Sequence, residues 1–171
     1  VSVRVKSDSI SPLDLSVNAF RADGNGQLGS GLGWSIASDT FRGFLEEGSW
    51  ILRVHRGSYY GLPLATLDPI QVKAGSQPIR LADVDLTGKT RVISVRFEDE
   101  RGQPVPSVDL DLEDRTSGAT GTVSLDGEET LTLPAGPVSI RAQARSHFGD
   151  GLKPAEWVST GTGSEIITFV R

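Results

Sequence analysis

The sequence predicts an all-β chain built as two tandem β-sandwiches, and three observations carry that prediction. Short runs alternate apolar and polar residues with a period of two, clusters of turn-forming residues separate those runs, and the second half of the chain repeats the first. Period-two alternation over a handful of residues is the signature of a half-buried strand, and regular spacing of such runs between turns indicates a sandwich.

Taken in chain order, Val1, Val3 and Val5 alternate with polar neighbours, which turns Lys6 outward. Trp50, Leu52 and Val54 repeat the pattern, placing Trp50 in a core. In the second half the same alternation runs through Ile93, Val95 and Phe97, then Val108, Leu110 and Leu112, then Val138, Ile140 and Ala142. Long helical periodicity is absent. Between the runs stand Asp23-Gly24-Asn25-Gly26, Gly102-Gln103-Pro104, Asp126-Gly127 and Pro134-Ala135-Gly136. Such residues supply the positive or preset φ that tight turns need. The stretch Gly29-Ser30-Gly31-Leu32-Gly33 reads as the continuation of a flexible hairpin tip.

The repeat organises these elements. A shift of 88 places Leu45 on Leu133, Gly48 on Gly136, Leu52 on Ile140, Arg53 on Arg141, Ile70 on Val158, Gly75-Ser76 on Gly163-Ser164 and Ile79 on Ile167. At the front the shift is 92, laying Val1-Ser2-Val3-Arg4-Val5 over Ile93-Ser94-Val95-Arg96-Phe97 and Pro12 over Pro104. Two copies of one unit follow, residues 1–86 and 87–171, with a seam near Leu86-Thr87-Gly88-Lys89.

Composition bounds the function. With 171 residues, 37% of them hydrophobic, the chain can bury a core and is not disordered by composition. It has no cysteine, which excludes disulfides, thiolate nucleophiles and cysteine-ligated metals. No apolar run approaches the roughly 20 residues of a membrane-spanning helix, so no membrane insertion is expected. The chain starts at Val1 with no methionine, as expected for part of a larger polypeptide. Seventeen basic against 22 acidic residues give a net charge of −5, and the basic stretch Arg53-Val54-His55-Arg56 is too short to form a patch. A nucleic-acid partner is therefore not expected.

The second half runs Val95-Arg96-Phe97-Glu98-Asp99-Glu100-Arg101-Gly102-Gln103-Pro104-Val105-Pro106-Ser107-Val108-Asp109-Leu110, and later Leu131-Thr132-Leu133-Pro134-Ala135-Gly136-Pro137-Val138-Ser139-Ile140-Arg141-Ala142. This pattern of strand, Gly-x-Pro turn, alternating strand and Leu-Pro-x-Gly turn resembles the carboxypeptidase regulatory-like (prealbumin-like) domains and the B-type repeats of collagen-binding adhesins. The resemblance covers nearly all of the second half, and reaches the first half through the repeat, where Ser11-Pro12 and Leu45-Glu46-Glu47-Gly48 are degenerate versions of the turns. It implies immunoglobulin-like or prealbumin-like sandwiches that serve as non-catalytic spacer, adhesive or accessory modules of larger extracytoplasmic proteins.

Some adhesin repeats of this kind carry a Lys–Asn or Lys–Asp isopeptide bond promoted by a buried acid. Here Lys6 and Asp83 are the plausible pair, with Glu46 or Glu47 as the acid, but the outward Lys6 favours an ordinary surface lysine. His55-Arg56-Gly57-Ser58 is reminiscent of the Tyr-Arg-Gly-Ser ending of transthyretin-like hydrolases, yet lies mid-chain and begins with His. Asp23 and Asn25 sit in a superficially calcium-like loop that lacks the glycine and the acid expected at its sixth and twelfth positions, where Leu28 and Trp34 stand. Gly29-Ser30-Gly31 has no recognisable histidine partner for nucleophilic catalysis. Four loop or edge aromatics, Trp34, Tyr59, Tyr60 and Trp157, are candidates for stacking on sugars or anchoring a protein.

The resulting expectation is a non-enzymatic structural, adhesive or spacer module without cofactors, belonging to a surface or secreted protein. A carbohydrate- or protein-binding accessory module using the four aromatics is the competing expectation.

Overall fold

The computed structural model describes residues 1–22, 28–58, 60–145 and 152–170. Among the described residues its regular elements are strands, apart from a 3-10 turn at Pro12–Asp14, where the Leu13 N–H donates to the Ser11 hydroxyl. The chain divides into two compact units: Val1–Tyr59 with Pro63–Gly88, and Tyr60–Leu62 with Lys89–Arg171.

The first unit contains β1 (Ser2–Val3), β2 (Val5–Lys6), β3 (Leu15–Arg21), β4 (Leu28–Ser35), β5 (Thr40–Arg42), β6 (Gly48–Arg56), β7 (Ala65–Thr66), β8 (Ile70–Val72) and β9 (Val84–Asp85). The strand order is β1-β5-β4-β3-β6-β7, with β8 also on β6, and a separate parallel pair β2-β9. Strand β4 turns the corner: its first part pairs with β3 and its last residues, Gly33 to Ser35, pair with β5. Val3, Val5 and Phe41 from one side of that corner and Val17, Ala19, Leu52 and Val54 from the other bury into a single core.

The glycine run is thus a strand and not a hairpin tip. Trp50 lies buried on β6, and a side chain at Gly29 would overlap its six-membered ring. Glycine there lets the backbone pass under the indole while keeping its strand hydrogen bonds. The indole N–H donates to the Glu46 carbonyl at 2.9 Å, and the Arg21 guanidinium stacks over the ring at 4.2 Å.

The second unit contains β10 (Thr90–Asp99), β11 (Ser107–Asp114), β12 (Thr120–Asp126), β13 (Glu129–Pro134), β14 (Val138–Ala144), β15 (Ala155–Ser159) and β16 (Gly163–Phe169). Two sheets, β13-β10-β16 and β12-β11-β14-β15, pack face to face. Ile93, Val95 and Phe97 from the first sheet meet Val108, Leu110, Leu112, Val138 and Ile140 from the second. Period-two alternation buries these side chains and turns their neighbours to solvent.

The two units share one plan. In the second unit β10 lies between antiparallel β13 and parallel β16, and in the first unit the opening segment splits these roles, β1 pairing antiparallel with β5 and β2 parallel with β9. The strand order β4-β3-β6-β8 within the large sheet of the first unit matches β12-β11-β14-β15 in the second. The shifts of 88 and 92 read from the sequence lay β3 on β11, β4 on β12 and β6 on β14.

Within the second unit, Leu62 is buried at 5% exposure in the core, and the Tyr60 carbonyl accepts from the Thr122 N–H at 2.7 Å. This approach explains Gly121, where an added Cβ would collide with the backbone of Gly61 and Leu62. A buried polar network ties β10, β15 and β16 together. Arg91 donates to the Ser159 hydroxyl (2.9 Å), the Ser159 carbonyl (2.7 Å) and the Gly161 carbonyl (2.6 Å). Glu165 accepts from the Ser159 hydroxyl at 2.6 Å and from the Trp157 indole at 2.7 Å. Burial lowers the Arg91 guanidinium below its ordinary range, and Glu165 opposes that shift.

Candidate functional site

Strand β11 reads Ser-Val-Asp-Leu-Asp-Leu-Glu-Asp. Its leucines and valine enter the core, so Asp109, Asp111 and Glu113 must face out. The register extends them into rows across the sheet. One row is Thr122, Asp111, Arg141, Glu156, and the next is Thr120, Glu113, Ser139, Val158. Together with Tyr60 and Arg115 these side chains line a groove of about 810 Å³ on the outer face of the β12-β11-β14-β15 sheet.

The groove is polar and only partly self-satisfied. Arg141 Nε lies 3.5 Å from Glu156 Oε1, and Arg115 Nε donates to Ser139 Oγ at 2.6 Å. The carboxylates of Asp111 and Glu113 have neither an ion pair nor a hydrogen bond among the described residues. Their neighbour Asp109 is different: the Ser124 hydroxyl at 2.6 Å, then Arg145 at 2.9 Å, hold its carboxyl below the ordinary range. At the last residue of the strand, burial raises the Asp114 carboxyl, but hydrogen bonds from Ser117 and Thr116 outweigh it and the net shift is downward.

Of the four aromatics singled out by sequence, Tyr60 is 63% exposed at the rim of this groove. Trp157 also borders it, while its half-buried indole packs edge-on to Phe97 at 6.4 Å and bonds to Glu165. Trp34 belongs to the first unit, opposite Phe41 on β5 and packed against that unit's core. Tyr59, Asp23 and Asn25 lie outside the described residues. Among the described residues no three His, Cys, Asp or Glu side chains converge as metal ligands would.

Lys6 and Asp83 are brought together at 2.9 Å, as an ion pair at the surface. Lys6 first, by hydrogen bond, and then Arg4 and Arg80 depress the Asp83 carboxyl. Glu46 is engaged elsewhere, 3.1 Å from Arg21. His55, from the His-Arg-Gly-Ser stretch, is 1% exposed, its ring edge-on to Phe20 at 6.3 Å and its Nδ1 without a hydrogen-bond partner. Burial first, then the Arg53 charge, lower its pKa to about 4. An imidazole so enclosed packs as a neutral ring.

Sequence reasoning missed Asp111, Glu113 and Arg141 as a group, and also the Arg91–Ser159–Glu165 network. The polar half of the β11 alternation was visible, but only the strand register shows which polar residues share a row.

No family model matches this chain, and no curated protein matches it. Among solved structures it is similar to the Bacillus anthracis TIE protein, at 13% identity and a TM-score of 0.36 over 99% of this chain and 32% of that one. It is similar to a streptococcal ancillary pilin at 12% identity and a TM-score of 0.36, over 99% of this chain and 61% of that one. It is also similar to GBS52, a minor pilin of Streptococcus agalactiae, at 8% identity and a TM-score of 0.36, over 99% of this chain and 95% of that one. The chain therefore spans about a third of the first of these structures and about three fifths of the second.

Proposed function

We propose that this chain is a non-catalytic spacer segment of a larger extracytoplasmic protein, made of two prealbumin-like domains that carry tension along the polypeptide. The observation that supports this reading is the parallel pairing of first and last strands in each unit. In the second unit β10 and β16 pair from Ile93↔Gly163 through Asp99↔Phe169. In the first unit the opening segment bonds to the closing one through Ser2 N–H to Ile79 O, Leu81 N–H to Ser2 O, Val84 N–H to Arg4 O and Leu86 N–H to Lys6 O.

When two parallel strands are drawn apart by the start of one and the end of the other, they slide, and all their hydrogen bonds resist together. The bonds of a parallel ladder are evenly spaced, which spreads the load. The ladder of the second unit is continuous, whereas that of the first is shorter and supplemented by the Lys6–Asp83 ion pair.

Stretching the full chain by its ends in a single-molecule instrument tests the proposal. Two force peaks are expected, the weaker from the first unit, and Lys6→Ala should lower that peak alone. Extension without measurable force peaks would overturn the reading.

A further inference from the structure

We propose that the outer face of the β12-β11-β14-β15 sheet is a binding site for a neutral polysaccharide. The groove's volume of about 810 Å³ suits a small-molecule or oligomer site. Four strands at about 4.8 Å spacing make it about 14 Å wide, room for a few sugar rings. Its chemistry is that of hydroxyl recognition. Asp111 and Glu113 offer acceptor oxygens without partners among the described residues, and Thr120 and Thr122 stand directly across from Glu113 and Asp111 as donors or acceptors. Arg141, facing Asp111 from β14, supplies forked donors.

Tyr60 gives the site its stacking surface. Its carbonyl is anchored to Thr122, which places the exposed ring at the end of the Thr122-Asp111-Arg141-Glu156 row. An aromatic ring beside a field of polar groups matches a sugar, with its apolar C–H face and its rim of hydroxyls.

Other ligand classes fit less well. A polyanion would meet Asp111, Glu113 and Glu156 against only Arg115 and Arg141. A protein partner would want a central apolar anchor, with charges confined to the rim. Here the charges occupy the centre, and Val158 is the one aliphatic side chain of the two rows that faces out. The site does not depend on the tension-carrying role, and either could fail alone.

The test is isothermal titration of the full chain with cellohexaose, xylohexaose, mannohexaose and chitohexaose, and with hexagalacturonate as the anionic counterpart. At least one neutral hexamer should bind with a Kd below about 1 mM. Tyr60→Ala should weaken it about tenfold, and Asp111→Asn and Glu113→Gln about threefold or more each, with unchanged unfolding midpoints. Should a variant fold poorly, the wild-type amide shifts of Thr122, Asp111 and Arg141 on titration must report the same site. No binding by any neutral hexamer at about 5 mM, a preference for hexagalacturonate, unaltered affinity in all three variants, or shifts confined to other strands would each overturn the proposal.

Discussion

Acid should loosen the first unit well before it touches the second, and the reason is His55. His55 lies on β6, paired with Ser16 of β3, and its buried ring has Phe20 against it and Arg53 as the nearby cation. Its pKa in the folded chain is about 4, against an ordinary 6.5. Between those values the unfolded chain binds the proton and the folded chain does not. Stability is therefore complete above pH 6.5, falls as the pH drops toward 4, and loses no more from this residue once both states are protonated. Integrating from pH 7.5 to 4 gives a loss of about 3 kcal/mol from this one group. Asp83, Asp109 and Asp114 are all held below their ordinary 3.8, so their losses only start near pH 4 and fall mostly below it. The assay is urea unfolding followed by two-dimensional NMR, where the Trp50 indole peak reports the first unit and the Trp157 indole peak the second. The first unit's stability should fall by about 3 kcal/mol while the second unit's falls by less than about 1 kcal/mol, and His55→Gln should remove most of the first unit's slope. A slope that persists in His55→Gln, or a fall below about 1 kcal/mol in the wild type, would refute the assignment.

Further outcomes follow from packing. Leu62→Ala should destabilise the second unit by about 2–4 kcal/mol and leave the Trp50 signal of the first unchanged, because Leu62 belongs to the second core. Arg91→Met should cost the second unit about 2–3 kcal/mol, since it strips buried hydrogen bonds from the Ser159 hydroxyl and the Ser159 and Gly161 carbonyls; differential scanning calorimetry checks this. Intact mass should equal that of the uncrosslinked sequence, because Lys6 and Asp83 meet at the surface as an ion pair; a deficit of one water would show an amide instead.

Much of this architecture was legible because strand alternation is a local signal. Val108, Leu110 and Leu112, or Trp50, Leu52 and Val54, announce their faces without outside help, and the repeat shifts carry β3, β4 and β6 onto β11, β12 and β14. The glycine run at Gly29 to Gly33 misled, because its reason is the Trp50 ring on a strand two positions away in the sheet. The placement of Leu62 in the second core is equally non-local. The candidate groove was half legible: Tyr60 stood out as a loop aromatic, and Asp111 and Glu113 as the polar phase of β11. Their alignment with Arg141 and the threonines depends on register, which alternation alone leaves open.

Parallel terminal strands are what we propose lets these units carry tension, and pulling geometry tests that most directly. The chain has no cysteine, so paired cysteine handles can be placed anywhere without ambiguity. Lys89→Cys with Val170→Cys loads the β10–β16 ladder from opposite ends. Lys89→Cys with Gly161→Cys loads it from one end, and nothing stands within 4 Å of an added Cβ at Gly161. If the ladder carries load in shear, the first pair should require at least about twice the rupture force of the second. Equal forces in the two geometries would contradict the account.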